Sequence, residues 1–228
     1  MNAVHPSLTK AYPVLGLRVT AGPVELRGMD DDTLAELVDL AFEGIHGPDA
    51  MPFLMPWTLA PEGEFHRRFL QYHWGVRSGF TPAGWSLELA VRFEGELVGM
   101  QGVGTENFLV TRTGETGSWI GLRHQGRGIG TLMRQTMCAL LFDHLGFEEV
   151  TSAAFLDNAA SNAVSRKVGY RPNGLILKPR PLPASAPEPG QEASMEQRYV
   201  LQPGDLVRGP DLSVEGADAV RRLIGLDE

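Results

Sequence analysis

Cysteine is nearly absent from this chain: Cys138 stands alone among 228 residues, so no internal disulfide can hold the fold. It lies between Met137 and Ala139 in an apolar segment and reads as a buried structural thiol, not a nucleophile. Lysine is scarce too. It occurs only at Lys10, Lys167 and Lys178, and arginine supplies the rest of the 20 basic residues. No apolar run approaches the roughly 18 residues that a membrane-crossing helix needs. No signal-peptide pattern opens the chain, so the expected compartment is the cytoplasm, with no membrane partner. No His/Cys/Asp cluster has metal-ligand spacing and no Gly-x-Ser-x-Gly occurs, which removes support for metalloenzyme and serine-hydrolase readings; no metal is expected. Acidic residues number 28, giving a formal charge of −8. That balance argues against a general nucleic-acid binder and mildly favours cationic acceptors such as amines. A hydrophobic content of 43% with 21% charged residues excludes global disorder. A chain of this length buries about 70% of its unfolded surface.

Glycine, by contrast, is concentrated where it matters. Gln125-Gly126-Arg127-Gly128-Ile129-Gly130-Thr131 places three alternate glycines after an apolar run, Gly117 to Leu122, that reads as a strand. Apolar residues at helical spacing follow: Leu132 and Met133, Met137, Leu140 and Leu141, Leu145. Strand, glycine loop and helix in this order aim free backbone N–H groups and the positive end of a helix dipole at one point, which suits a phosphate. A Walker A loop needs a closing Lys-Ser/Thr pair, and this segment has no lysine. A dinucleotide fingerprint needs a third glycine where Thr131 stands. A plain glycine turn before a helix remains the alternative.

The loop resembles the pyrophosphate loop of the GNAT acyltransferases, Gln/Arg-x-x-Gly-x-Gly/Ala, through Gln125, Gly128 and Gly130. A second stretch, Asp157 to Tyr170, is similar to the Asn-x-x-Ser…Lys-x-Gly-Phe/Tyr segment after the fifth strand of that superfamily, especially its RimJ/RimL-like branch. It follows a strand expected at Glu149 to Phe155. The resemblance covers residues 85 to 180 well and the rest loosely. It implies the α+β GNAT fold, with a mixed, mostly antiparallel sheet of about six or seven strands flanked by helices.

The rest of the chain is organised around that core. Residues 1–13 read as a loose N-terminal arm, 14–205 as the GNAT domain and 206–228 as a helical extension. Strands are expected at Val14 to Thr20 and Val24 to Arg27, and helices at Thr33 to Gly44 and Pro61 to Ser78. Between the helices, Met51-Pro52-Phe53-Leu54-Met55-Pro56-Trp57 precludes a regular element. Its large apolar groups either tuck onto the core or, as the resemblance implies, wall an acceptor pocket, with Phe53 and Trp57 as substrate-binding candidates. His66, Tyr72, His73 and Trp74 read as packing or solvated residues. Leu87, Leu89 and Val91 alternate with Glu88, Ala90 and Arg92 as in a half-buried strand; Glu94-Gly95-Glu96 turns the chain, and Leu97 to Thr105 and Glu115 to Leu122 return it. Residues 181–193 hold four prolines and read as a mobile loop before a last strand at Met195 to Leu201. Residues 213–225 read as a terminal helix capped by Ser213; the last strand and this helix offer a two-fold pairing surface for a homodimer.

The resemblance also implies roles. Main-chain amides of Gln125, Gly126, Arg127, Gly128, Ile129, Gly130 and Thr131 would grip the diphosphate of acetyl-CoA or another acyl-CoA. The pantetheine arm would pair with Trp119, Ile120, Gly121 and Leu122. Transfer to an amine needs a base, for which Glu115 is the candidate, with Glu88 and Glu106 in reserve; an ordinary edge glutamate is the alternative for Glu115. Ser161 is the candidate acid for the leaving thiolate, or an ordinary first-turn residue. Asn158 either bonds the pantetheine arm or caps the following helix. Arg123, His124 and Arg127 flank the loop. The expected activity is N-acyl transfer to a primary amine, a protein N-terminus or a small molecule, in a direct ternary complex. A larger donor such as succinyl-CoA, or a non-catalytic acyl-CoA-binding regulator, are the alternatives.

Overall fold

The computed structural model describes residues 4–227. In chain order its elements are α1 (Pro6–Ala11), β1 (Arg18–Ala21), β2 (Val24–Gly28), α2 (Asp31–Glu43), α3 (Glu62–Ser78), β3 (Gly84–Phe93), β4 (Glu96–Glu106), α4 (Phe108–Thr111), β5 (Thr113–Ile120), α5 (Ile129–Asp143), β6 (Glu149–Phe155), α6 (Ala159–Val168), β7 (Arg171–Pro181), β8 (Gln191–Leu201), β9 (Leu212–Glu215) and α7 (Ala217–Leu223). The strands form one sheet in the order β7-β8-β6-β5-β4-β3-β2-β1-β9. Only β5 and β6 pair in parallel; the other neighbours are antiparallel. No helix among the described residues is long and apolar enough to cross a membrane.

Two helical layers cover this sheet. On one face Met133, Met137, Leu140 and Leu141 of α5 pack on Leu26, Leu87, Leu89 and Val103. On the other, Leu34, Leu37 and Ala41 of α2 and Phe65 and Phe69 of α3 pack on Ala90, Leu97 and Trp119. Each such aliphatic or aromatic side chain contributes about 1.5–3 kcal/mol by leaving water. The alternation along β3 therefore separates two cores, not core from solvent, and Glu88 is only 9% exposed.

The expectations differ from this fold at several points. The sheet has nine strands among the described residues, somewhat more than the six or seven expected; β9, not expected from the sequence, extends its far edge beside β1. The N-terminal arm contains α1 followed by a 3-10 turn, so β1 starts at Arg18 instead of Val14. Residues 1–3 of that arm lie outside the described residues. Ser213 sits in β9, opposite Thr20, and not at a helix cap; α7 starts after Gly216. Ala217, Val220 and Ile224 of the terminal segment are buried in the chain's own core. The proline-rich loop is shorter than its composition suggests. β7 and β8 pair out to Pro181↔Gln191, and Ser185 N–H donates to Pro48 O at 3.1 Å.

Candidate active site

The site begins where two parallel strands part. β5 and β6 are in register from Thr113↔Glu149 to Thr116↔Ser152 and no further. Beyond that point β5 pairs only with β4, as far as Ile120, and β6 only with β8, as far as Phe155. The inner backbone edges of Gly117–Ile120 and of Ala153–Phe155 therefore lie free on either side of a fork. A free strand edge is a template for an extended chain of amides.

The glycine loop stands at the end of β5. The Gln125 side chain turns back onto the protein; its Nε2 donates to Ile120 O at 2.8 Å and to Ile45 O at 2.7 Å, tying the loop to its own strand and to the segment after α2. Gly126 and Gly128 have φ of +75° and +80°, a left-handed turn that glycine adopts without strain. Gly128 is the N-cap of α5 and brings no capping side chain. The first N–H groups of Ile129 and Gly130 thus have no partner within the helix, and its first turn holds no acidic residue. Gly130 serves a different purpose: a Cβ there would lie 3.3 Å from Val164 Cγ2 and 3.6 Å from Ile120 Cδ1, so α5 passes close to α6 and β5. Thr131 N–H bonds Gly128 O, while the N–H groups of Gly121 and Leu122 are engaged by Val98 O and Gly44 O. Arg127 lies over the Phe93 ring and Arg123 pairs with Glu43. His124 is buried, and its pKa is lowered by that burial, with Arg123 and Arg127 adding to the effect against an opposing pull from Glu96; its imidazole is neutral at pH 7.

Across the sheet lies an aromatic wall. Trp57 approaches Trp119 at 6.1 Å and Phe53 at 5.2 Å between ring centroids, and Phe53 meets His46. The irregular loop is thus both packed on the core and adjacent to the fork. Glu115 faces the same side, its side chain 47% exposed and paired with Arg198 at 2.5 Å. Arg198 also reaches the buried Glu196 at 3.3 Å. Glu88 is more enclosed: Tyr72 Oη donates to its Oε1 at 2.9 Å, and His73 Nδ1 lies 2.6 Å from Oε2. His73 and Tyr72 are therefore partners of a carboxylate and not simple packing residues. Glu88, Gly102 and Gly117 stand side by side on β3, β4 and β5, so neither position between the carboxylate and the fork carries a side chain of its own. Glu106 lies exposed at the other end of β4.

On α6, the Asn158 Oδ1 accepts from Ser161 N–H at 3.1 Å, which is the capping alternative; its amide nitrogen is left for another acceptor. Ser161 is half-buried in the first turn of α6, next to the end of β6. Sequence reasoning missed three arginines. Arg180 donates to Met51 O at 2.8 Å and to Asp157 Oδ2 at 2.7 Å, and stacks over Phe155, joining the β7–β8 hairpin to the loop after α2. Arg198 balances two glutamates. Arg134 lies buried beneath the fork. Only Arg134 left a signal, as a charge one helical turn before Cys138 on the apolar side of α5.

Comparison with known proteins agrees with this geometry. Residues 24–171, more than half of the chain, match the model of the acetyltransferase (GNAT) domain. Mycobacterium smegmatis RimJ, solved with a CoA disulfide, superposes with a TM-score of 0.63 at 19% identity, over 90% of this chain and 91% of that one. RimL, a ribosomal L7/L12 α-N-protein acetyltransferase solved with coenzyme A, gives 0.59 at 17% identity over 79% and 94%. A Salmonella typhimurium acetyltransferase described as modifying the N-terminal serine of L7/L12 gives 0.58 at 16% identity over 79% and 95%. At these identities the likeness is one of fold. The family match, the forked parallel pair and the glycine loop at the start of α5 together mean that this chain belongs to the GNAT acetyltransferase family.

Proposed function

We propose that this protein transfers an acetyl group from acetyl-CoA directly to a primary amine, the α-amino group of a protein N-terminus or a small amine. The observation that carries this reading is the parting of β5 and β6 beside the uncapped N-terminus of α5. The amides of residues 126–130 would hold the diphosphate, and the free edge of Trp119 and Ile120 would pair with the amides of the pantetheine arm. Bound in this way, acetyl-CoA supplies the thioester that the amine attacks. The acceptor enters on the Trp57–Trp119 side. Arg180 and Ser185 tie the hairpin to the loop after α2 there, which favours a slender acceptor over a side chain on a folded surface.

Glu115 would take the acceptor's proton, with its carboxylate fixed by Arg198, and a hydroxyl beside the fork, for which Ser161 of α6 is one candidate, would donate toward the departing thiolate. A second reading gives the proton to the His73–Glu88 pair, favoured by the bare lane over Gly102 and Gly117. Glu115→Gln and Glu88→Gln distinguish them: loss of the base lowers kcat by about 10²–10⁴ with coenzyme A binding retained. The reading as a whole is tested by thiol release from acetyl-CoA and succinyl-CoA with a panel of amines and peptides. Acetyl-dependent release is the expected result. Preference for the succinyl donor would reassign the acyl group, and binding without release for either donor would make the protein a regulator.

A further inference from the structure

Beneath the fork sits a cation with no ion pair among the described residues. Arg134, in the second turn of α5, is 4% exposed. Its Nη2 donates to Ser118 Oγ at 2.9 Å, and its Nη1 to Ser152 Oγ and Ser165 Oγ at 3.2 Å each. Every acceptor recorded for it is a serine hydroxyl, and its buried Nε has none. The titratable groups that face it are Cys138 from α5 and Tyr170 from the turn between α6 and β7. Burial pushes the Cys138 thiol up to about 11 and the Tyr170 hydroxyl well above its usual range, so both are neutral at physiological pH. A buried, uncompensated charge is costly to keep. Its location gives it a use: Ser118 and Ser152 flank the point where β5 leaves β6.

Ser118 is the informative partner. It lies on β5 beyond the last pairing with β6, with its side chain toward α5, opposite the face that carries Trp119 and Glu115. Its oxygen accepts from the guanidinium, which polarises the hydroxyl and leaves its own proton for a further acceptor. We infer that Ser118, backed by the positioning residue Arg134, is the hydrogen-bond donor to the coenzyme A sulfur as the thioester breaks. This rests on the proposed function. In that step the amine nitrogen bonds the carbonyl carbon and the carbon–sulfur bond breaks with its electron pair going to sulfur. The nitrogen's proton passes to the carboxylate base, and the thiolate, held by Ser118, later takes a proton from water. The acceptor arrives from one face of the sheet, and a donor on the other face stands on the side from which the thiol leaves.

The test is the ultraviolet titration of the thiolate of protein-bound coenzyme A, with desulfo-coenzyme A subtracted. Cys138, the one cysteine, titrates too high to interfere. In the unaltered protein the bound thiol should titrate about one to two units below free coenzyme A, the range that a nearby opposite charge produces. Ser118→Ala and Arg134→Met should each remove at least half of that shift, and Ser118→Ala should lower kcat by about 10²-fold with KM for acetyl-CoA little changed. Should Arg134→Met fail to fold, Ser118→Ala, a small change at a half-buried site, carries the test alone. An unshifted thiol in the unaltered protein, or a shift untouched by Ser118→Ala but abolished by Ser161→Ala, overturns the inference while leaving acetyl transfer standing. Absence of calorimetric heat with coenzyme A overturns the proposed function itself.

Discussion

Gly128 offers the most direct test of the loop, because its contributions separate cleanly. Its backbone lies at φ +80°, ψ −4°, where an L residue costs roughly 1–2 kcal/mol. A Cβ added there would meet no atom within 4 Å, so Gly128→Ala adds strain without a clash. Alanine also narrows the unfolded ensemble, which returns about 0.4–1 kcal/mol. The net loss is about 1 kcal/mol if the turn holds, or a Tm lower by about 2–4 °C for a chain of this size. If the turn relaxes instead, the amides of residues 126–130 lose their common aim, and affinity for coenzyme A falls about tenfold for each 1.4 kcal/mol lost. Gly130→Ala is the matched comparison. Its backbone is helical and gains up to about 1 kcal/mol in propensity against a 3.3 Å contact with the Val164 side chain, so its Tm should stay within about 2 °C. Scanning calorimetry gives the first quantity and titration calorimetry with coenzyme A the second. A Gly128→Ala protein that melts and binds like the unaltered one would refute the claim that a left-handed turn organises this site.

Asn158→Ala removes the cap of α6 and should cost about 1 kcal/mol, read as a shifted urea midpoint at constant slope. Cys138 should resist iodoacetamide at pH 8 in the folded protein, because burial holds its thiol up to about 11, and react promptly in urea; equal rates would contradict its burial. The folded-state pKa of His124 lies below its ordinary value, so the unfolded chain binds this proton more readily. The contribution of His124 is therefore complete above about pH 6.5 and declines as pH falls below it. Replacing His124 with Gln should flatten that part of the pH–stability curve.

Local signals made some of this architecture readable and long-range contacts hid the rest. The glycine loop was legible because left-handed backbone selects a residue type, and β6 was legible from end to end because a short β-prone run, its burial alternating from Val150 to Ala154, lies between the turn at Gly146 and the start of α6. Asp30 caps the first turn of α2 through Thr33 N–H, a contact that spans only three residues. By contrast, α4 has four residues, too few for any periodicity. Ser213 has the chemistry of a cap, but the alternation of Leu212 and Val214 prevailed once β1 offered an edge. Arg180 and Met51 are 129 positions apart, and nothing local ties a proline-rich hairpin to a loop that far away. Arg134 drew no notice because a single charge in an apolar helix is usually solvated, and only the fold turns it inward.

Gly117 has a consequence for how the enzyme's selectivity can change. A Cβ there would touch nothing within 4 Å, although the residue stands at the mouth of the fork, in line with Glu88. One nucleotide change could install alanine without meeting either core, and its methyl group would narrow the lane that the proposed reading gives to an incoming amine. On that reading the width of the accepted substrate can change at a position with open space around it, while the loop proposed to hold the thioester cofactor stays the same.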